Sequence, residues 1–353
     1  MDIFELMVEG RHEQLVFWSE PESGYRGIIA IHDTSLGPAL GGTRFWNYAD
    51  ERAAVVDALR LSRGMTYKAA VAGLRLGGGK SVIWGDSHTE RREPIFRAHG
   101  RAIRSLAGRY ITAEDVGTSP ADMEFVRMET EHVAGLPGRS GDPSPVTAYG
   151  VYRGIKACAK VEYGDDSLAG LHVAVQGLGH VGYYLCGDLA QEGARLTVTD
   201  IDPERVQRAV TDFGATAVEP DRIYDVDADV FAPCALGAVI NDDTLGRLKV
   251  DIVAGAANNQ LGRGGAHGSA LHEKGILYAP DYVINGGGLI NVYGELQGWS
   301  LEQSKDKAGH IYDTLLHIFE LAKSEGLPTG VAADRIAEAR LLASKKLQPA
   351  GKP

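Results

Sequence analysis

Two lysines and one aspartate near the start of the chain are residue types that can carry acid–base chemistry together. Lys68 lies in GMTYKAAVAG and Lys80 in LGGGKS, and the pattern predicts adjacent strands at Tyr67–Ala72 and Ser81–Trp84, joined by a glycine-rich turn. Burial and a cationic neighbour both lower the pKa of a lysine, so one amine can act as a neutral base near about pH 7–8 while the other holds a carboxylate. Asp115, in AEDVG, follows a predicted strand and can transfer a proton. Each residue taken alone is more typical of a solvated lysine or a loop-capping aspartate.

The second lysine also invites comparison with a phosphate-binding loop. Gly79, Lys80 and Ser81 fit the end of G-x-x-x-x-G-K-[ST], but Leu74 occupies the position of the first glycine. The segment also lies between two predicted strands, whereas a phosphate loop joins a strand to a helix. The sequence therefore argues against an ATP-binding loop.

A glycine-rich turn in the second half has the pattern of a dinucleotide-binding turn. It follows a predicted strand, Leu171–Gln176, and precedes a predicted helix, Val181–Gln191. The glycines of G-x-G-x-x-G allow a tight turn, a close approach to a pyrophosphate and close packing of helix on strand. The positive end of the helix dipole favours the phosphates. The predicted cofactor-binding residues are Gly177, Leu178, Gly179, His180, Val181 and Gly182, with no chemical role expected for the His180 side chain.

The next predicted strand, Leu196–Asp200, ends in a carboxylate. A carboxylate at this position accepts hydrogen bonds from both ribose hydroxyls and repels a 2′-phosphate. Asp200, followed by Ile201, therefore predicts NAD rather than NADP as the cofactor. The alternative is a glycine-rich turn in an unrelated α/β protein, and the combination of strand, helix and terminal acid disfavours it.

Strand and helix patterns alternate around these motifs and predict a largely parallel sheet in the second half. Ser119 and Pro120 are typical of the N-cap and first residue of a helix. Further strands are predicted at Gly27–His32, Tyr110–Thr112, Val230–Ala232, Ile252–Ala254 and Gly275–Tyr278. Further helices are predicted at Ala49–Arg63, Glu93–Ala107, Thr147–Val161, Pro203–Phe213 and, as a pair broken near Gly326–Pro328, Ser304–Lys346.

The composition excludes several classes of protein. The formal net charge of -11, without a basic patch, argues against a nucleic-acid partner. The three cysteines show no CxxC spacing, which argues against a disulfide framework, and no metal site is predicted. No apolar run approaches the ~20 residues of a membrane span, and the N-terminus lacks the basic start of a signal peptide. The expected location is cytoplasmic, without a membrane partner.

Long segments, in order from residue 36 to residue 292, resemble the glutamate/leucine/phenylalanine/valine dehydrogenase family, and the leucine dehydrogenases most closely. The matching segments are LGPALGGTRFW (Leu36–Trp46), DALRLSRGMTYKAAVAGLRLGGGKSVI (Asp57–Ile83), TAEDVGT (Thr112–Thr118), VAVQGLGHVG (Val173–Gly182), DVFAPCALGAVIN (Asp229–Asn241), VAGAANNQL (Val253–Leu261) and YAPDYVINGGGLINV (Tyr278–Val292). The resemblance implies an α/β fold of two domains separated by a cleft. An N-terminal α/β domain for substrate binding and oligomerisation would comprise residues 1–135 with about 328–353, and a Rossmann-type NAD-binding domain residues 136–327. The connection between them is expected at Gly135–Pro145, which is rich in glycine and proline.

The resemblance also implies roles for individual residues. Lys80 would be the base that activates water for attack on an iminium, and Asp115 would carry protons to and from the amino nitrogen. The substrate carboxylate would be held by Lys68, the backbone of Gly41 and Gly42, and the Asn258 side chain. Further cofactor contacts would come from Thr147, Ala235 and Asn258.

The side-chain pocket implied by the resemblance draws on Leu40, Ala113 and Val292, which are all apolar. Glutamate-specific relatives place a lysine where Leu40 stands, and an unpaired carboxylate in an apolar pocket costs several kcal/mol, so glutamate is disfavoured. One methylene is worth only ~1–3 kcal/mol, so breadth among branched-chain substrates is expected. Gly286 stands where family members commonly have alanine, which leaves the size of the pocket open.

The expected activity is the reversible NAD-dependent oxidative deamination of a branched-chain L-amino acid, leucine and also isoleucine or valine, to the 2-oxo acid and ammonia. An aromatic amino acid dehydrogenase, acting on phenylalanine or tryptophan, is the alternative on the same scaffold. A non-catalytic NAD-binding protein is a remote alternative, which the presence of Lys80 and Asp115 disfavours. The family implies a homo-oligomer, either a dimer or an octamer.

Overall fold

The chain divides into two compact units. The computed structural model describes residues 2–136 and 141–347. The first unit comprises Met1–Gly141, Glu295–Gly298 and Ala337–Pro353, and the second comprises Asp142–Gly294 and Trp299–Ile336. Residues 137–140 of the predicted connection lie outside the described residues. The assignment of residues 1–135 with about 328–353 to substrate binding stays a prediction.

The described part of the first unit contains a five-stranded mixed sheet with helices on both faces. Its elements are α1 (Ile3–Gly10), β1 (Gln14–Glu20), β2 (Tyr25–Asp33), β3 (Ala39–Trp46), α2 (Glu51–Val71), β4 (Gly77–Trp84), α3 (Arg92–Arg104), β5 (Tyr110–Glu114) and α4 (Pro120–Arg127). The strand order is β1-β2-β4-β3-β5. β2 is antiparallel to β1 and β4, whereas β3 is parallel to β4 and β5. The predicted cap is confirmed, since the Ser119 side chain accepts a hydrogen bond from the Asp122 N–H at the start of α4.

Successive residues of the central strands face opposite sides of this sheet, as the two-residue period of a strand requires. Ala30 and Val82 pack with residues of α2, whereas Ile31 and Ile83 pack with residues of α3 and α4. Lys80 lies two residues before Val82 on β4. Its side chain therefore belongs to the face that α2 covers.

The segment that carries Lys68 is helical, so the predicted strand Tyr67–Ala72 is wrong. α2 continues unbroken through Val71, and Lys68 lies in its last turn. The stretch from Thr66 to Val71 is mostly buried, and a short apolar run of this kind has no period that separates a strand from a helix. The glycines at 77–79, predicted to form a turn, are instead the first three residues of β4.

These glycines let α2 lie directly on β4. A Cβ at Gly78 would come within 2.1 Å of the Thr66 backbone nitrogen and 2.5 Å of the Ser62 carbonyl oxygen. Backbone atoms cannot move away from such an overlap without shifting the whole helix. Because Thr66 lies two residues before Lys68, this close contact sets where Lys68 lies along the sheet.

We expect Gly78→Ala to destabilise the protein by about 2–3 kcal/mol, because α2 would have to move away from β4. Gly64→Ala, at an exposed position in α2, is the matched control. A Cβ at Gly64 meets no described atom within 4 Å, and alanine there should stabilise the helix by about 1 kcal/mol. Thermal and denaturant unfolding would measure both changes. If the two variants were equally stable, the close packing of α2 on β4 would be contradicted.

The last helix of the chain completes the first unit. Arg340 donates hydrogen bonds to the carbonyl oxygens of Ala70 (2.6 Å) and Leu74 (2.9 Å), just where α2 ends. The buried Asp33 carboxylate pairs with Lys345 at 2.6 Å. The end of α2 that carries Lys68 is therefore held by residues from the far end of the sequence.

The described part of the second unit contains a six-stranded parallel sheet. Its elements are α5 (Ser144–Tyr163), β6 (His172–Gln176), α6 (His180–Gln191), β7 (Arg195–Thr199), α7 (Pro203–Phe213), β8 (Thr216–Ala217), a 3-10 helix (Pro220–Asp225), β9 (Val230–Pro233), β10 (Ile252–Val253), α8 (Gly264–Glu273), β11 (Leu277–Tyr278), α9 (Asp281–Ile284), α10 (Gly287–Gln297), α11 (Leu301–Gly309), α12 (Ile311–Glu325) and α13 (Thr329–Leu347). α10 and α13 each continue into residues of the first unit. The strand order is β8-β7-β6-β9-β10-β11. The strands proceed outward from β6 in both directions, which is the doubly wound arrangement with its switch point between β6 and β9.

The predicted alternation of strands and helices in this unit is confirmed. The helix Pro203–Phe213 has the predicted bounds, and the predicted helix Thr147–Val161 lies within α5. The strand predicted at Gly275–Tyr278 is limited to its last two residues. In place of the predicted C-terminal pair of helices, the described residues form three, α11, α12 and α13. The additional break lies at His310, where α11 ends and α12 begins. Across residues 2–136 and 141–347, no helix has the length and apolar character needed to cross a membrane.

Candidate active site

Lys80 and Asp115 form an ion pair in the first unit. The Lys80 Nζ lies 2.7 Å from the Asp115 Oδ2, and only 7% of the Lys80 side chain is exposed. Burial lowers the pKa of Lys80, and the attraction of the Asp115 carboxylate offsets that effect only in part. Burial raises the pKa of Asp115, but the charges of Lys80 and Arg44 outweigh it and hold this pKa below its ordinary value. The pair therefore combines a lysine that gives up its proton readily with a carboxylate that stays ionised.

The strand register brings the predicted pocket residues to the same face of the sheet. Leu40 of β3 pairs with Gly78 of β4, and Gly42 pairs with Ala113 of β5. Residues paired across neighbouring strands face the same side, and Gly78 and Lys80 both face α2. Leu40, Gly42 and Ala113 therefore line the face that carries Lys80, and the two apolar side chains are buried there.

A turn after β5 places Asp115 over β3. A Cβ at Gly42 would lie 2.9 Å from the Asp115 Cβ and 2.5 Å from the Glu114 carbonyl oxygen, so a larger residue at 42 would displace the aspartate. The Asp115 backbone N–H donates to the Thr118 Oγ1 at 2.8 Å, which fixes the turn. In the same stretch of β3, the Gly41 carbonyl oxygen accepts a hydrogen bond from the Tyr110 hydroxyl at 2.5 Å.

Lys68 lies on α2, the helix that covers this face, and its side chain is half-buried. The predicted pair of lysines on adjacent strands is therefore wrong in its elements, since Lys68 is on a helix and Lys80 on a strand. Both elements nevertheless belong to the same side of the sheet. The carboxylate-binding role of Lys68 stays a prediction.

A buried hydrogen-bond network on the opposite face ties the three parallel strands together. The Thr43 Oγ1 of β3 lies 2.7 Å from the Ser81 Oγ of β4 and 2.6 Å from the Thr112 Oγ1 of β5. The His99 Nε2 lies 2.8 Å from the same Thr43 oxygen. Burial lowers the pKa of His99 to about 3, so the imidazole is neutral and the network carries no charge. The network fixes the strand register on which the position of Lys80 depends.

Arg44 is a member of this site that is absent from the sequence predictions. Its Nε lies 3.2 Å from the Asp115 Oδ2, and its Nη1 lies 2.8 Å from the Asp57 Oδ2. A signal for it exists in the sequence. Arg44 follows Gly42 by two residues on β3, so the two-residue period puts it on the same face as Gly42 and Lys80.

The predicted dinucleotide turn in the second unit has the required geometry. Gly177 has φ 96°, a left-handed conformation that favours glycine. A Cβ at Gly182 would lie 2.0 Å from the Gly177 carbonyl oxygen, so only glycine lets α6 pack this close to the turn. α6 begins at His180, with Gly179 as its N-cap, and a Cβ at Gly179 meets no described atom within 4 Å. Because no other atom lies close to Gly179, a phosphate could approach the backbone N–H groups in the first turn of α6 from that side.

Asp200 follows β7 and is held by the glycine turn. Its Oδ2 accepts a hydrogen bond from the Leu178 N–H at 2.6 Å, and its Oδ1 accepts one from the Asp202 N–H at 2.9 Å. The neighbouring Ile201 is 92% exposed. The cavity beside Asp200 has a volume of about 560 Å³, and Ile201, Val218 and Pro220 are among its lining residues. A volume of this order is typical of small-molecule sites.

Ala235 and Thr147, two more predicted residues of the second unit, lie in different parts of it. Ala235 lies against the glycine turn, since a Cβ at Gly177 would lie 2.7 Å from the Ala235 Cβ. Thr147 is in the first turn of α5, where its Oγ1 donates to the Pro143 carbonyl oxygen at 2.9 Å. A Cβ at Gly288 would lie 3.2 Å from that Oγ1, so Thr147 adjoins the start of α10.

Asn258, Val292, Val181 and His180 complete the predicted set. Asn258 is exposed, and its Oδ1 accepts a hydrogen bond from the Asn285 Nδ2 at 2.8 Å. The Asn258 Nδ2 is therefore the atom that could donate a hydrogen bond to a ligand. Val292 is half-buried on α10, and Val181 is half-buried on α6. The His180 side chain is 84% exposed.

Gly286 marks the departure from the alanine common in the resembled family. A Cβ there would lie 3.0 Å from the Val283 carbonyl oxygen and 3.8 Å from the Ile311 Cδ1. An alanine would therefore need a small adjustment of its own helix end, and its methyl group would point toward α12.

Together these features fit a pyridine dinucleotide in the second unit. The turn at Gly177–Gly182 suits a pyrophosphate, and Asp200 at the end of the next strand suits a ribose. Among the residues that the structure describes, no group of three or more His, Cys, Asp or Glu side chains could hold a metal ion.

Comparison with known proteins gives the family. The model of the Glu/Leu/Phe/Val dehydrogenase dimerisation domain matches residues 12–132, and that of the Glutamate/Leucine/Phenylalanine/Valine dehydrogenase domain matches residues 196–346. The chain belongs to the Glu/Leu/Phe/Val dehydrogenase family. Family members use a pyridine nucleotide, which agrees with the glycine turn.

Individual relatives cover nearly the whole chain. A leucine dehydrogenase from Thermoactinomyces intermedius is 58% identical over 349 residues, which is 98% of this chain and 95% of the relative. A leucine dehydrogenase from Bacillus subtilis is 57% identical over 344 residues, covering 97% and 94%. The crystal structure of L-tryptophan dehydrogenase from Nostoc punctiforme superposes with a TM-score of 0.90 at 48% identity, covering 97% of this chain and 99% of that one. The predicted family and two-domain α/β fold are confirmed.

Proposed function

We propose that this protein is an NAD-dependent dehydrogenase that reversibly deaminates leucine, and also isoleucine and valine, to the 2-oxo acid and ammonia. The observation that carries the proposal is the Lys80–Asp115 ion pair beside the buried apolar residues Leu40 and Ala113. It occurs in a chain 58% identical to a leucine dehydrogenase along nearly its whole length.

The proposal assigns the substrate carboxylate to the cationic Lys68 and to the backbone of Gly41 and Gly42. Asn258 is assigned to the same carboxylate through the amide nitrogen that it presents. The side chain of the amino acid is assigned to Leu40, Ala113 and Val292. These apolar residues favour a hydrocarbon side chain, because a glutamate side chain would lose its hydration without gaining a partner.

The acid–base steps are assigned to Lys80 and Asp115. When bound, the nicotinamide accepts the hydride that leaves the substrate Cα. The substrate is then a cationic iminium, which the ionised Asp115 stabilises and a neutral Lys80 does not repel. Lys80 accepts a proton from water as the water oxygen bonds to the iminium carbon, and this proton passes from Lys80 through the Asp115 carboxylate to the nitrogen. Lys80, neutral again, accepts the hydroxyl proton as the C–N bond breaks, so that the 2-oxo acid and ammonia leave and Lys80 remains protonated.

The proposal also assigns the cofactor contacts. The turn at Gly177–Gly182, including Leu178, His180 and Val181, holds the pyrophosphate, and Asp200 and Ile201 hold the adenosine ribose and base. Thr147 and Ala235 contact the nicotinamide end. NAD is favoured over NADP because the Asp200 carboxylate repels a 2′-phosphate.

A substrate panel followed by NADH absorbance tests the proposed activity. We expect kcat/KM for leucine to exceed that for phenylalanine or tryptophan by at least about tenfold, since a pocket built for a branched side chain excludes a ring. Isoleucine and valine should follow leucine within about tenfold, and glutamate should give no measurable rate. If glutamate or an aromatic amino acid were the best substrate, the assigned pocket would be wrong.

An aromatic substrate is the second candidate, because the superposing crystal structure at 48% identity is described as an L-tryptophan dehydrogenase. The same panel separates the two. The greater identity to leucine dehydrogenases, 58% and 57%, favours the branched-chain assignment.

We also propose a homo-oligomer, either a dimer or an octamer. The support is the match of residues 12–132 to a domain described as a dimerisation domain. Sedimentation equilibrium tests it, and a monomer at micromolar concentration would contradict it.

A further inference from the structure

We propose that Arg44 is a positioning residue for the deamination assigned above, and that its guanidinium holds the Asp115 carboxylate against Lys80. The inference rests on the proposed function, because it concerns the base and the carboxylate of that reaction. Arg44 itself is not assigned any contact with substrate or cofactor.

The first support is an alternating row of charges on the α2 face of the sheet. Lys80 pairs with Asp115 at 2.7 Å, Asp115 with Arg44 at 3.2 Å, and Arg44 with Asp57 at 2.8 Å. Arg60 ends the row with a contact to Asp57 at 3.0 Å. The row joins β4, the turn after β5, β3 and α2, so the position of Asp115 is tied to three other elements.

The second support is the shape of the arginine side chain. The Nε of Arg44 faces Asp115 while its Nη1 faces Asp57, so one planar group bridges two carboxylates in different elements. A lysine presents a single point charge and cannot make both contacts in this geometry. The Arg44 side chain is 23% exposed and that of Asp57 is 16% exposed, so water screens these contacts only in part.

The third support is the direction of the electrostatic effects. Burial lowers the pKa of Lys80 most, Asp115 raises it, Arg44 lowers it again, and Asp57 on α2 raises it. Arg44 in turn faces Asp115, Asp57 and Tyr48, and Tyr48 donates a hydrogen bond to Asp57 at 2.6 Å. Arg44 thus opposes the charged form of Lys80 and favours the charged form of Asp115.

The sign of the pH effect follows from these contacts. Lys80 acts as a base only when neutral, so the rate of deamination rises as the pH rises through its pKa. The Thr118 contact still fixes the turn that carries Asp115, so Asp115 stays beside Lys80 when Arg44 is replaced. Removing the Arg44 charge then removes a repulsion from protonated Lys80, which raises that pKa. The acidic limb of the kcat/KM profile for leucine should therefore move to higher pH.

Arg44→Gln tests the inference. We expect kcat/KM for leucine to fall about tenfold on the acidic limb of the profile, and by less than about threefold on the alkaline plateau. Arg44→Lys should restore part of the loss at the lower pH, because it returns the charge without the bridge. NADH should bind to both variants as tightly as to the parent. Arg44 belongs to the first unit, whereas the glycine turn at Gly177–Gly182 belongs to the second.

Arg97→Gln is the matched control. Arg97 also contacts two carboxylates, Glu129 at 2.9 Å and Glu93 at 3.6 Å, but it lies on α3, on the opposite face of the sheet. This variant should leave the acidic limb in place. An acidic limb that stays in place in Arg44→Gln, or one that moves equally in Arg97→Gln, would overturn the role of Arg44.

The parent enzyme separates the two hypotheses. A parent that reduces no NAD with any amino acid would contradict the proposed function itself. A parent that is active on leucine, with a limb that Arg44→Gln does not move, would overturn only the positioning role.

Discussion

Lys80→Ala is expected to lower kcat for leucine by at least about 1,000-fold while NADH binds as tightly as it does to the parent. A positioned general base contributes about 100- to 10,000-fold, and no other amine is assigned to the water that attacks the iminium. Lys80 belongs to the first unit, whereas the glycine turn and Asp200 belong to the second, so cofactor affinity should not depend on it. Stopped-flow measurement of NADH formation and a fluorescence titration with NADH would give the two values.

Lys160→Ala is the control for loss of a lysine amine. Lys160 is exposed on α5 and donates to the Gly164 carbonyl oxygen, so its removal should leave kcat unchanged. A small primary amine added to Lys80→Ala should restore part of the rate, because it can enter the space of the missing side chain. A Lys80→Ala variant that deaminates leucine near the parental rate would show that the base has been misassigned.

Asp200→Ser is expected to lower the preference for NAD over NADP by about 100-fold. The carboxylate repels the 2′-phosphate of NADP, and its removal also takes away an acceptor for the ribose hydroxyls of NAD. Arg205, whose Nη1 lies 4.0 Å from Asp200, would then be the nearest cation for a 2′-phosphate. The ratio of kcat/KM values for NAD and NADP, each at saturating leucine, measures the change.

Asp212→Ser is the matched control for the loss of one carboxylate in this unit. Asp212 lies near the end of α7 and contacts Arg208 and the Tyr183 hydroxyl. Its removal should leave the preference for NAD as it is. An unchanged preference in Asp200→Ser would refute the ribose role of Asp200.

The second unit could be predicted from the sequence in some detail because its signals are local. The turn at Gly177–Gly182 needs glycine for reasons of backbone geometry within a few residues, and Asp200 follows the next strand directly. The observed φ of Gly177 and the contact between Gly182 and the Gly177 carbonyl oxygen agree with that reasoning. The helix Pro203–Phe213 was bounded by a proline at its start and a glycine after its end, which are strong local markers.

The first unit was harder to predict because its decisive contacts join distant segments. The sequence around Lys68 predicts a strand, because so short a segment has no period that separates a strand from a helix. It is helical because Gly78 leaves room for α2 on β4, and no local pattern reports that contact. The two-residue period of β3 places Arg44 on the face of Lys80, but its partners Asp57 and Asp115 lie 13 and 71 residues later in the chain and meet it only in the folded sheet.

The contacts of Arg340 and Lys345 have a consequence for biosynthesis. The segment that carries Lys68, Lys80 and Asp115 is translated more than 200 residues before Arg340 and Lys345, which cap α2 and neutralise Asp33. The first unit cannot reach its final structure until Arg340 and Lys345 have left the ribosome. A premature stop codon after Ile336 would leave every proposed functional residue encoded and still deprive the earliest-made part of the protein of its support.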